Sequence, residues 1–188
     1  KVCGAGWMSV CLPACTRRGA HGGRHFPAAT TLRKPGTSLK PDEIECIRVL
    51  LSFHYFRTND LDPLVEALTV GGTPPDIFAD SGAFSAWTQN VTVTVDDYGG
   101  WLHKWRHHLT VYANLDVIDD PVATEVNQRA LESNGLLPLP VWHIRSGRKH
   151  FEALCEEYRY IAVGGMVGTQ WKRLMPKLTW AVRHARST

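Results

Sequence analysis

The sequence predicts an α/β protein assembled from parallel β/α units, and three observations carry that reading. From Ile47 onward, short apolar runs alternate with segments of helical periodicity. The connections between them are short, as in units that place each helix back on the sheet. Each apolar run also ends on polar or glycine-rich residues, where parallel α/β folds keep their chemistry.

The five units follow in order. Ile47 to His54 (IRVLLSFH) reads as the first strand, and a helix follows near Asn59 to Leu68, capped by Thr58 or Asn59. Asp76 to Asp80 is the second strand; its helix spans Val95 to Leu109, with Asp96 and Asp97 placing negative charge at the N-terminus. Thr110 to Leu115 is the third strand. Its helix opens at Pro121, closes at Gly135, and carries Val122, Val126, Ala130 and Leu131 at helical spacing. Leu137 to Trp142 is the fourth strand, followed by a helix from Arg148 to Tyr158 with Phe151, Leu154 and Cys155 on one face. Tyr160 to Val163 is the fifth, and its helix from Gln170 to Arg183 should be kinked or split by Pro176, which removes a helical N–H. Five such units fit either an open doubly wound sheet or the first part of a (β/α)8 barrel.

Residues 1–45 differ in kind. They are rich in Gly, Pro, Arg, Thr and Ala, lack apolar periodicity, and read as a disordered or mis-assigned leader ahead of a domain at 46–188. The chain opens on Lys1 rather than Met, so a fragment is expected at that end. The leader also explains the net charge of +3: residues 1–40 hold seven Lys/Arg and no Asp or Glu, leaving 14 basic against 18 acidic residues beyond them. Attraction to phosphate must then come from a local patch or the leader, not from the field of the whole domain.

No stretch reaches the roughly 18 apolar residues of a membrane span, which excludes a helical membrane protein. Four of five cysteines lie in the first 46 residues and none forms a C-x-x-C pair, which favours a reducing cytoplasm over a disulfide scaffold. Cys3, Cys11 and Cys15 with His21 or His25 match no common zinc spacing. His103 and His107 have the i, i+4 spacing of a metal pair, yet without the glutamate of H-E-x-x-H a solvated helix is the better reading. No metal or other cofactor is expected.

The strand ends carry the candidate chemistry. The first ends in His54-Tyr55-Phe56-Arg57, the second in Asp80-Ser81-Gly82, and the third in Asp116 with Asp119 and Asp120 soon after. The fourth ends in His143 and Arg145, the fifth in Gly164-Gly165-Met166-Val167-Gly168. Carboxylates at neighbouring strand ends can pair acid–base work with recognition of a ligand's hydrogen-bond donors. Asp119 and Asp120 suit a cap for the helix at Pro121 better than a Mg²⁺ site. Gly164-Gly165 admits close approach of a ligand to the backbone, which would equally serve a sugar phosphate.

On these residues a resemblance rests. Asp80-Ser81-Gly82-Ala83-Phe84 resembles the D-S-G-G-[FY]-Q motif of tRNA-guanine transglycosylases, Leu115-Asp116 their L-D-E segment, and Ala162 to Gly168 their I-G-G-L-A-V-G loop, in the family's order. Leu50 to Phe56 and Pro140-Val141-Trp142-His143 are more similar to the deoxypurine in DNA protein A branch, found in phage and bacterial systems that exchange guanine in DNA for a 7-deazaguanine. The resemblance covers about residues 47–168 and implies a partial (β/α)8 barrel of TIM type.

It further implies that Asp80 does acid–base work. Ser81, Gly82 and Asp116 would bind guanine, with Asp116 on the base edge, and Gly164, Gly165 and Met166 would form a backbone wall. His143 stands where the family uses a glutamine on the base. The family's nucleophilic aspartate has no counterpart before Thr188, which implies a truncated domain inactive alone, with an open barrel edge prone to self-association. The tRNA enzymes' C-x-C-x-x-C zinc site is missing too, which fits the DNA branch. The expected partners are DNA and a 7-deazapurine base. The alternatives are a tRNA-acting transglycosylase, a sugar-phosphate barrel enzyme, and a non-catalytic nucleic-acid-binding remnant.

Overall fold

The computed structural model describes residues 11–13 and 46–187. Cys3, Cys15, His21, His25 and nearly all of the expected leader lie outside the described residues. The elements run β1 (Cys11–Pro13), β2 (Arg48–Ser52), α1 (Phe53–Phe56), α2 (Asp62–Leu68), β3 (Asp76–Asp80), α3 (Ala83–Thr88) and α4 (Val95–Trp105). β4 (Leu109–Tyr112), α5 (Pro121–Ser133), β5 (Val141–His143), α6 (Arg148–Glu157), β6 (Tyr160–Gly164) and α7 (Trp171–Ser187) follow.

The strands are parallel and ordered as they occur in the chain. β2 pairs with β3 from Arg48↔Asp76 to Ser52↔Asp80, and β3 pairs with β4 across an irregularity between Ile77 and Phe78. A parallel bridge, Ala113↔Leu139, joins this group to β5, which pairs with β6 from Val141↔Ala162 to His143↔Gly164. Among the described residues the strands do not close into a barrel.

One addition was not foreseen. β1 runs antiparallel along β6, with Cys11 opposite Ala162 and Pro13 opposite Tyr160. The leader was expected to stay off the domain, but three of its residues cover the edge of β6. Backbone hydrogen bonding at an unpaired edge supplies the reason: any extended segment can satisfy those groups, whatever its side chains.

Side chains alternate between two faces along each strand. Leu51, Ile77, Ala79, Leu109 and Tyr112 pack outward against Tyr98, Trp101, Leu102 and Trp105 of α4. Trp142, Ile161 and Val163 pack outward against Phe151 and Cys155 of α6 and Leu174, Ala181 and Ala185 of α7. The opposite face holds Ala113, Leu139, Val141 and Ala162 with Phe78, Val111 and Tyr160, and no helix residue joins that cluster. The next residues along that helix-free face are Ser52, Asp80, His143 and Gly164, so the strand pleat aims the polar ends to one side.

Several expected boundaries move. The first strand stops at Ser52 because Phe53 to Phe56 turn into a short helix that buries Phe53 in the α4 core. α2 begins at Asp62, beside Pro63, and neither Thr58 nor Asn59 caps it; Leu61 is the first-turn boundary residue. α3 was not anticipated: Ala83 and Ala86 are small, and its six residues are too few for a periodic signal. α4 ends at Trp105, four residues early, and β4 starts at Leu109. In the fourth unit only Val141–His143 forms a regular strand. α7 runs unbroken past Pro176.

α5 has the expected ends, but of the expected face only Leu131 is buried. Asp120 accepts the Ala123 N–H as a cap, and Gly135 adopts a left-handed φ of 75° just after the helix. Val122 and Val126 are 71% and 62% exposed, and the buried residues are Thr124, Gln128 and Leu131. Hydrogen bonding buries Thr124 and Gln128 beside Leu131 in place of the valines. Thr124 Oγ1 accepts from Val117 N–H and donates to Asp120 O, and Gln128 Nε2 donates to Pro138 O. The Thr124 hydroxyl and Gln128 Nε2, bonded in this way, lose little relative to water, while Gln128 Oε1 is buried without a partner.

Candidate active site

At the carboxyl ends of the strands, the second strand's motif is built around Gly82. Its φ of 71° is the left-handed region, and a Cβ there would overlap Ser52 Oγ and lie 2.5 Å from His54 Cβ. The turn folds the Gly82 N–H back 2.8 Å onto Asp80 Oδ2 and brings the Ala83 N–H to Ser81 Oγ. Asp80 and Ser81 are thereby fixed on the last turn of the strand, both buried.

Asp116 is the centre of the arrangement. Ser81 Oγ donates to its Oδ1 at 3.3 Å, and His143 Nε2 lies 2.9 Å from its Oδ2. A carboxylate only accepts, so in this contact the hydrogen sits on His143 Nε2. Gly164 makes room for that ring: a Cβ there would stand 2.8 Å from Val141 Cγ1 and 3.0 Å from His143 Cδ2. Gly165, at φ 69°, passes under the same imidazole.

Asp80 is pushed up to about 6, first by burial and then by the negative charge of Asp116, against the lowering pull of the Gly82 N–H. A carboxyl poised there exchanges protons readily near neutral pH. Tyr98 reaches in from α4, fully buried, its hydroxyl donating 2.7 Å to Ala113 O. Burial and the charges of Asp80 and Asp116 hold its phenol well above the ordinary range, so it stays a neutral donor.

Six of the eight expected site residues therefore converge: Asp80, Ser81, Gly82, Asp116, His143 and Gly164. Gly165 adjoins His143. Met166 follows them, its side chain packed against the outer core and its carbonyl accepting the Thr169 N–H. His143 lies in the site, with its Nε2 on Asp116.

Sequence reading named His54 at its strand end without a role, and missed Ser52, Gln89 and Tyr98. His54 is buried and bonds Gln89 Oε1 through Nε2, leaving its Nδ1 without a partner, as is Ser52 Oγ; both flank Gly82. The one available signal was the polar Ser52 and His54 inside an otherwise apolar run. No family model, curated protein or solved structure matches the chain. The chemistry therefore rests on the residues themselves. Among the described residues, no helix is long and apolar enough to cross a membrane.

Proposed function

We propose that the domain is a partial (β/α)8 barrel of guanine-transglycosylase type, acting on DNA to exchange guanine for a 7-deazaguanine. The observation that carries the reading is Asp80: a buried carboxyl, pushed up to about 6, at a parallel strand end beside a second carboxylate. Sequential strand order supports the barrel frame, since a doubly wound sheet reverses its order at a switch point.

Base exchange breaks the glycosidic C–N bond to guanine and forms one to the incoming base. A duplex base must first leave the stack. Asp80 delivers a proton to the departing base and recovers one from the entering base. Asp116, fixed by Ser81 and His143, keeps a second lone pair on each oxygen to accept guanine N–H donors. Gly164 and Gly165 form the backbone wall. Neither aspartate is assigned to attack at the sugar carbon.

The test is incorporation of labelled guanine into DNA and into tRNA by the full-length gene product. Incorporation into DNA that falls at least a hundredfold in Asp80→Asn is expected, on the scale of lost acid–base catalysis of ~10²–10⁴. Incorporation into tRNA alone moves the reading to the tRNA enzymes, and incorporation into neither polymer overturns it.

A further inference from the structure

At the opposite end of the strands, a second group of ligand-type side chains has no place in the proposed reaction. α4 stops at Trp105, so His107 is not on the helix with His103. Instead His107 and His108 share the turn that leads into β4. Their rings lie 4.1 Å apart between centroids, and His108 Nε2 is 2.6 Å from Asp62 Oδ1 on α2. One ligand atom from each of Asp62, His107 and His108 falls within 4.8 Å of the other two.

We propose that Asp62, His107 and His108 form a binding site for a divalent transition-metal ion of the zinc class, clasping α2 to the turn before β4. Two imidazoles and one carboxylate are the donor set such ions prefer. Tetrahedral zinc with bonds of about 2.0–2.2 Å sets its ligand atoms about 3.3–3.5 Å apart. The three groups need shifts of an ångström or so, and Asp62 and His107 are exposed and free to make them. The His108 ring is held by stacking on Trp105, 6.1 Å away and tilted 20°. Three protein ligands leave a fourth position for water.

The clasp has a mechanical role. α2 contributes no fully buried residue; its first turn is held by Leu61, by the Asp62 N–H on Asp60 Oδ1, by Leu64 and Val65 against the core, and by the Asp62–His108 contact. Lys104, whose Nζ lies 4.4 Å over the Trp105 ring, and Arg106 add positive charge nearby, which holds the affinity to the micromolar range. The site is at the amino ends of the strands, whereas Asp80 and Asp116 lie at their carboxyl ends, so the ion takes no part in the proposed base exchange.

The test is titration of the full chain with Zn²⁺ by calorimetry and with Co²⁺ by visible absorption, read beside the melting temperature. One ion per chain at micromolar affinity is expected, raising the melting temperature by about 5 °C at a hundredfold excess over the dissociation constant. His107→Ala combined with His108→Ala should lose the Co²⁺ spectrum, and His103→Ala should keep it. Asp62→Asn, an exposed change that spares the fold, should weaken binding about tenfold or more. Unchanged affinity in Asp62→Asn and in the double variant overturns the site. So does a Co²⁺ spectrum dominated by thiolate charge transfer, which would put the ion on cysteine.

Discussion

Two Asp–His pairs stand at opposite ends of the same strands. Asp116–His143, 2.9 Å apart, has side chains 9% and 6% exposed; Asp62–His108 is shorter at 2.6 Å, with side chains 67% and 21% exposed. Length alone would rank the second as stronger. Burial reverses the order, because water screens the exposed pair and competes for its partners, while the buried one has no substitute for a lost partner. The inner pair is therefore fixed by the fold, and the outer pair is free to exchange a proton for a metal ion.

The sharpest way to break that comparison is to truncate each histidine. His143→Ala leaves the Asp116 carboxylate buried with only Ser81 Oγ, and a loss of about 3–5 kcal/mol in urea unfolding is expected. His108→Ala, without metal, should cost under ~1 kcal/mol. Equal losses would show that burial does not separate the two pairs.

Asp80 sharpens the comparison through pH. Below its ordinary value of 3.8 the group is protonated in folded and unfolded chains alike. Between there and about 6 the unfolded chain releases the proton and the folded chain keeps it, so stability falls as pH rises and levels off above 6. The full drop is on the order of 3 kcal/mol. Asp80→Asn should flatten this slope and be more stable than the parent at neutral pH. A parent profile that rises from pH 4 to 6 would show that Asp80 ionises freely.

The smallest expected effect lies on α5. Val126→Ser should shift stability by less than ~0.5 kcal/mol, because Val126 faces solvent. Leu131→Ala, on the buried face, should cost about 2–5 kcal/mol. A large loss at Val126 would restore the face that hydrophobic spacing alone selects.

That helix shows what was legible. Its ends were, because Asp120, Pro121 and Gly135 act through local backbone chemistry that needs no tertiary partner. Its face was not, because Thr124 and Gln128 are buried by hydrogen bonds to Val117, Asp120 and Pro138, which hydrophobic periodicity cannot register. The candidate site divides the same way. Asp80, Gly82, Asp116 and Gly164 could be placed from their positions after strands, since the pleat alone sends them to one face. The Asp116–His143 bond joins residues 27 apart in the chain and depends on which strands become neighbours. The cluster at Asp62, His107 and His108 was hidden by helix length: while α4 was taken to run on to Leu109, His107 paired with His103.

The edge strand β1 has a consequence in time. Each of β2 to β6 meets a neighbour made shortly before it, so those pairings can close as the chain grows. β1 is made before the other described strands yet waits for Tyr160–Ala162, about 150 residues later, or about 7–30 s at ~5–20 residues per second. Closing so long a loop is an entropic cost repaid by three residues of ladder. Of the described strands, β1 is thus the earliest made, the last to dock and the first to open, and amide hydrogen exchange should be fastest on that side of β6.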